Sequence, residues 1–428
     1  MHVGTSNSDA IVGRAGSRQP ASGFRETVRR WWQEPTLNGW VVGAIAVLVF
    51  LRKPHALLTP QLYAEDGTIF LTFNDLQGVR AMLEPYMGYL HTLPRLIAWT
   101  ASKLLDPAWW PAFYNGASFA IWVAVIARTF SSRFRLPGKP WLALAFLLGP
   151  QTGEVLINIT NLQWIIAFVL VQHVLLTRPE TPGQRLTDLM VLLLVGLTGP
   201  FAIAFTPLFG WRWWRERNGD SLGALLVVGS AAAVQAWFIL RTGEKFPHQA
   251  EPFHVWATIE VVARRMVVWP AAGSTIAWWL PRLAVAVIGA TVIGAAMVRT
   301  LRPDPHREPR LRIAGALVLI AAVSVYRMRP DTWGGDDLNF SDRYFYIPRV
   351  LFAWLLILEF NARPRALAWA ARLICLSIAA VHLKDYVIPA PIDYQWKKHC
   401  DPIRRGEPGD IPTLPEGWIL EYRGRPKR

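Results

Sequence analysis

The residues best suited to chemistry begin at Tyr63-Ala64-Glu65-Asp66-Gly67, where two adjacent carboxylates follow the first apolar run. Beside a low-dielectric slab the charged form of a carboxylate is disfavoured, which moves its pKa toward the range of a general base. The plainer role for the pair is a solvated loop with a helix N-cap, since Asp caps well. Pro85-Tyr86-Met87-Gly88-Tyr89-Leu90-His91-Thr92-Leu93-Pro94-Arg95 then brings aromatics such as Tyr89, a histidine and an arginine into the same loop. His91 and Arg95 are four apart, share a helix face and together suit an anionic phosphate. The alternative is interfacial anchoring, with Arg95 snorkelling to lipid head groups.

Two later clusters add to this set. Glu154, Asn158, Asn161, Gln163 and Trp164 place amides and an indole at the end of an apolar run. Amides there suit sugar hydroxyls and the indole suits a sugar face; helix capping and interhelix hydrogen bonding is the competing role. Asn158-Ile159-Thr160 also matches a glycosylation sequon, a pattern common by chance. Asp342-Arg343-Tyr344-Phe345-Tyr346-Ile347-Pro348-Arg349 starts a late span. It puts Arg343 at head-group depth, with Tyr344 and Tyr346 as phenol donors, or else forms an interfacial aromatic belt. Asp336-Asp337 is a weak signal for a divalent cation, and Gln172, His173 and Gln235 read as packing polars within spans.

The elements that must position these groups follow from composition. The 428 residues are 52% hydrophobic and only 18% charged, with 22 tryptophans. Mean hydropathy is +0.24. Apolar runs recur from Thr36 to Leu383, the pattern of a polytopic membrane protein, which excludes a soluble enzyme and a disordered chain. Cys375 and Cys400 cannot build a disulfide framework or a multi-cysteine metal site. A net charge of +15 would suggest nucleic acid on a soluble chain. Here the basic residues sit in short loops without any nucleic-acid-binding motif, so they set orientation and no nucleic-acid partner is expected.

Basic clusters at Arg128–Lys139, Arg178–Arg185, Arg212–Arg217, Arg299–Arg312 and Arg363–Arg372 alternate with loops holding Glu65, Asp66, Asp75 and Glu84, then Glu154, then Asp331, Asp336, Asp337 and Asp342. The positive-inside rule places the arginines in the cytoplasm and the acids outside. Spans are expected at 37–52, 108–130, 141–152, 158–177, 186–199, 201–211, 221–240, 275–298, 312–328, 343–360 and 366–383. That is an all-α protein of about 11 crossings, a multi-pass plasma-membrane protein with a cytoplasmic N-terminus and an extracytoplasmic C-terminus. Gly199-Pro200 marks a bent or re-entrant hairpin. Leu90–Leu105 and Phe253–Trp269 break the parity and read as amphipathic helices on the outer face. The domain plan is a flexible cytoplasmic tail at 1–36, a transmembrane domain at 37–383 with the outer loop 53–107, and an extracytoplasmic cap at 384–428. In the cap, Thr413–Trp418 reads as a turn before a short strand, Ile419–Tyr422.

No Walker loop, dinucleotide-binding fingerprint or His-Glu-x-x-His pattern occurs. The chain resembles the GT-C superfamily of multi-span glycosyltransferases. The resemblance rests on the first span, Glu65-Asp66 in the first outer loop, the surface helices, His91 with Arg95, and Arg343–Tyr346 at a late outer span end. Many GT-C enzymes show Asp then Glu, or His-Pro-Pro, where this chain has Glu65-Asp66 and His91-Thr92-Leu93-Pro94-Arg95, so the base stays open between Glu65 and Asp66. The resemblance implies an inverting transfer from a polyprenyl-phosphate sugar to a hydroxyl of a glycan or lipid acceptor. His91, Arg95 and Arg343 would stabilise the departing phosphate. No cofactor and no metal is called for. Rival readings are a transporter or flippase for a lipid-linked saccharide, or an O-antigen-ligase-like enzyme, neither of which needs a base at Asp66.

Overall fold

In the computed structural model, residues 36–150, 153–242, 254–327 and 341–424 are described. The tail at 1–35 and the acids Asp331, Asp336 and Asp337 lie outside the described residues. The helices of nine residues or more are α1 (Gly39–Arg52), α2 (Thr92–Leu104), α3 (Trp110–Ala127), α4 (Lys139–Leu148), α5 (Leu162–Leu175), α6 (Pro182–Gly196) and α7 (Phe201–Glu216). They continue with α8 (Gly219–Thr242), α9 (Val255–Ala263), α10 (Trp269–Trp279), α11 (Arg282–Leu301), α12 (Arg307–Arg327), α13 (Arg343–Ile357) and α14 (Arg365–Leu383). Local chemistry sets several of their starts. The Asn38 side chain accepts from the Val41 N–H at 3.0 Å, and Thr181 caps α6 with Pro182 in its first turn.

The described chain is mostly helical, and five segments are long and apolar enough to cross a membrane: Pro107–Phe130, Gly219–Thr242, Arg282–Leu301, Arg307–Tyr326 and Arg365–Leu383. The expectation of about 11 full crossings is corrected on length. Helix α4 has 10 residues, about 15 Å of rise against a hydrocarbon core of roughly 30 Å. Helices α1 and α5 have 14 each. Along α5 nearly every side chain is buried against protein, so its apolar run reflects an interior position as much as a lipid one. The run expected to span 275–298 is broken at Leu280-Pro281, where α10 ends and α11 begins.

Helix α2 matches the expected amphipathic segment. The second one, Phe253–Trp269, is corrected: Phe253 lies outside the described residues, and the rest is no isolated surface helix. Helix α9 runs through a π-helical stretch, Arg264–Val268, into α10. Its Arg264 is paired to Glu260 at 2.9 Å, and its buried Arg265 lies 5.1 Å from the Phe345 ring centre. These partners draw the basic face inward instead of leaving it at a head-group surface.

The segment after Lys384 forms one two-stranded antiparallel sheet, β1 (Gly409–Thr413) with β2 (Trp418–Tyr422). Only its second strand was expected from sequence. The cap is fastened to the outer loop. The Leu414 N–H donates to Leu62 O at 3.0 Å, the Ala64 N–H to Leu414 O, and the Tyr422 hydroxyl to Asp75 at 2.5 Å. The Trp396 indole reaches Pro107 O at 2.8 Å, and Arg404 pairs with Asp106.

The α6–α7 turn around Gly199-Pro200 docks on the same loop. The Gly199 N–H donates to Leu90 O at 2.9 Å, and Thr198 pairs with His91 as an isolated bridge. Gly199 has φ +87°, and a Cβ there would run into the Gln163 side chain. A Gly199→Ala variant is expected to lose about 1–3 kcal/mol. The check is a lowered thermal unfolding midpoint of purified protein in detergent; an unchanged midpoint would mean that this turn does not brace the outer loop.

Candidate functional site

The Glu65-Asp66 pair follows Ala64, which has φ +46°, a left-handed conformation rarely adopted by a residue with a Cβ. The Leu414 strap holds it there. This bend sends the two neighbouring carboxylates to different surroundings. Asp66 opens a π-helix, Asp66–Leu71, and is fully buried, whereas Glu65 is part exposed.

Asp66 Oδ1 accepts from the Thr160 N–H at 2.8 Å and the Thr160 hydroxyl at 2.5 Å, and Oδ2 accepts from the Tyr63 N–H at 3.3 Å. Burial pushes its carboxyl up to about 7 in spite of these donors, which favour the charged form. Glu65 Oε1 accepts from the Tyr86 hydroxyl at 2.8 Å. Its second oxygen accepts no hydrogen bond among the described residues. The Tyr86 phenol is pushed up, first by burial and then by the Glu65 charge, so it stays a donor. Lys53 lies beneath, its ammonium on Leu156 O at 2.7 Å and Gly153 O at 3.3 Å, and 5.4 Å from the Tyr63 ring centre. Burial pulls it down to about 8, against the pull of the Asp66 charge.

Arg343 starts α13 and pairs with Glu154, with its side chain 36% exposed. Its charge acts on the Tyr63 and Tyr86 phenols against the effect of burial, and Tyr86 is the phenol bonded to Glu65. Its own ring neighbour is Tyr344, 5.4 Å away.

His91 and Arg95, expected as exposed phosphate-binding cations, are both buried. His91 is buried, stacked on Tyr89 at 4.7 Å, with Nδ1 3.2 Å from Tyr89 O. Burial, with the Arg95 charge, pulls its imidazole down to about 3, so it is neutral at physiological pH. Arg95 points inward. Its guanidinium donates to Ile69 O at 3.3 Å and Glu84 O at 3.2 Å, and lies 5.3 Å from the ring centres of both Phe70 and Phe73. It ties the outer loop together and is spent in doing so.

The amide cluster is also committed to its own loop. Asn158 is fully buried and donates to Glu154 O at 2.7 Å, while Asn161 donates to the same carbonyl at 2.9 Å. With Asn158 buried and Thr160 holding Asp66, the sequon cannot present an acceptor amide. Trp164 is wedged between Phe201 and Tyr344, both at 5.1 Å. The indole N–H of Trp164 and Oε1 of Gln163 are buried and unpartnered among the described residues. Tyr346 is core, donating to Phe146 O at 3.1 Å.

The structure therefore pairs Glu65 with Tyr86, Asp66 with Thr160, and Arg343 with Glu154. Sequence reasoning missed Thr160, whose signal was hidden in a sequon, and did not single out Tyr86 from the aromatics around it. Among the described residues no cluster of three or more His, Cys, Asp or Glu side chains could hold a metal. A cavity of about 1170 Å³ among the described residues is lined by neither Glu65 nor Asp66.

No protein-family model matches the chain, and no curated protein or solved structure matches it.

The buried Asp66 gives a pH signature. Burial holds its folded pKa above the ordinary carboxylate range. The folded state thus holds its proton longer than the unfolded state, and stability is complete below the unfolded pKa and lost as pH rises through about 7. Relative to the native chain, the unfolding midpoint of Asp66→Asn should rise between pH 4 and 8, since only the native chain loses this contribution; buried histidines such as His91, held well below the usual imidazole range, act in the opposite sense in both chains. An identical slope in the variant would show that Asp66 does not titrate there.

Proposed function

We propose that the chain is a membrane glycosyltransferase of the GT-C type, with Glu65 as its general base. The observation that carries the reading is the division of the acid pair: a buried, hydrogen-bonded Asp66 beside a part-exposed Glu65, one of whose carboxylate oxygens accepts no hydrogen bond among the described residues. The sequence supports the setting, since the pair sits in an acidic loop between apolar runs flanked by arginine clusters. In this reading the bundle spans the bacterial inner membrane as a GT-C-like scaffold, with the short helices completing crossings inside it. Glu65 then faces the outer side.

The donor is a polyprenyl-phosphate sugar and the acceptor a hydroxyl of a glycan or lipid. The acceptor O–H gives its proton to the free oxygen of Glu65 as its oxygen attacks the anomeric carbon. The bond from that carbon to the phosphate oxygen breaks, and polyprenyl phosphate leaves with the electron pair. One displacement inverts the anomeric centre. Arg343, released in part from Glu154, meets the charge growing on the leaving phosphate. Tyr86 orients Glu65, and Asp66 positions it by pinning the following residue to Thr160. A flippase for the same lipid-linked class would need the arginine but no base.

The test is purified protein in lipid with a panel of polyprenyl-phosphate sugars and hydroxyl acceptors, with released polyprenyl phosphate as the readout. Glu65→Gln is expected to cut turnover about 10²–10⁴-fold, the usual worth of a general base. Arg343→Ala is expected to cost about 10²–10³-fold, the loss of one charge-stabilising donor group. Asp66→Asn, which keeps the Thr160 acceptor, should cost less than Glu65→Gln. Full activity in both carboxylate variants would remove the base and leave the transport reading.

A further inference from the structure

A cavity of about 1170 Å³ lies away from the carboxylate pair, among α4, α13 and α14, with Met266 and Pro270 at its floor. Its middle is apolar: Leu144, Leu148, Val350, Ala353 and Ile378 line it. Leu376 lines it too and is also exposed on the outer surface of α14, so the cavity continues into the medium around that helix. Since α14 is long and apolar enough to cross a membrane, that medium is hydrocarbon in the membrane reading. An apolar trough open to that medium gains dispersion contacts when apolar chains lie in it.

The two ends differ in charge. One holds Arg349, already paired with Asp342. The other gathers Arg299, Arg302, Arg310, Arg363 and Arg372. Two carboxylates oppose them there. Asp304 pairs with Arg299 and Arg310, and Glu359 takes the far sides of the same two guanidinium groups at 2.7 and 2.6 Å. Arg372 is turned onto Phe360 O and the Trp369 ring. Arg302 and Arg363 are exposed and form no ion pair among the described residues. An apolar trough thus ends in two uncommitted guanidinium groups within an excess of positive charge. That is the complement of an amphiphile with long chains and an anionic phosphate.

We propose that this cavity binds a glycerophospholipid of net negative charge, its acyl chains in the trough and its phosphate on Arg302 and Arg363. The arginine-rich end is the cytoplasmic end under the positive-inside rule, so the lipid comes from the inner leaflet, opposite the Glu65 face. The site is separate from the sugar-transfer reading and stands or falls without it.

The test is native mass spectrometry of the full chain in mild detergent, titrated with phosphatidylglycerol and, separately, with phosphatidylethanolamine. The expected result is retention of phosphatidylglycerol in preference to phosphatidylethanolamine. In the double variant Arg302→Ala, Arg363→Ala, whose sites are exposed and safe for folding, retention should fall about thirtyfold. Ala353→Phe, which narrows the trough and leaves the arginines in place, should also weaken retention. Equal retention of the two lipids, an unaffected double variant, or an unaffected Ala353→Phe would overturn the proposal. So would displacement of phosphatidylglycerol by an equimolar polyprenyl phosphate, which would hand the cavity to a different lipid class.

Discussion

A single buried carboxylate organises the loop that follows α1. Asp66 takes two hydrogen bonds from Thr160 and one from the Tyr63 backbone, and every nearby element is arranged around that fixture. An ionisable oxygen acid without water is costly unless its lone pairs are occupied. The chain meets the demand by bringing the start of α5 against the loop that follows α1. Once Asp66 is fixed inward, the residue before it has no room in the interior and must face out. The half-exposed Glu65 is thus a geometric consequence of the burial of its neighbour.

The rest of the outer loop is held by groups that do no chemistry of their own. Arg95 lies between two phenylalanine rings and donates to two carbonyls. Gln235, deep in α8, both accepts from and donates to Leu90 at 2.8 and 3.2 Å. Each satisfies backbone groups that a loop folded back on a bundle would otherwise leave orphaned. The polar residues of the region divide into many that make the loop rigid and few that remain reachable. Rigidity is what a site needs if a reacting oxygen is to be held within a fraction of an ångström.

What the sequence made legible follows the range of the interactions. The apolar runs located nearly every long helix, because a run reports burial whether lipid or protein does the burying. That ambiguity is also why the number of crossings did not follow: α5 is as apolar as a span, yet it is enclosed by other helices. The acid pair and Arg343 stood out by type and place. The division of labour within the pair did not, since it depends on Thr160, 94 positions away. His91 and Arg95 looked like phosphate ligands because spacing on a helix says which residues share a face but not which way that face turns. Strand β1 was hidden by Pro412 and Asp410, residues poorly suited to a sheet interior and tolerable on a two-stranded edge.

The strap from the C-terminal hairpin has a bearing on how the molecule is made. The Tyr422 hydroxyl meets Asp75 across 347 positions of sequence, and Leu414 pins the bend at Ala64. During synthesis the acid pair leaves the ribosome long before its fastening exists. Until Leu414 arrives the bend at Ala64 lacks that hydrogen bond, and only the Thr160 and Tyr63 contacts hold Asp66 inward. The bend at Ala64 is therefore complete only once residues about 350 positions further along the chain have closed back onto it.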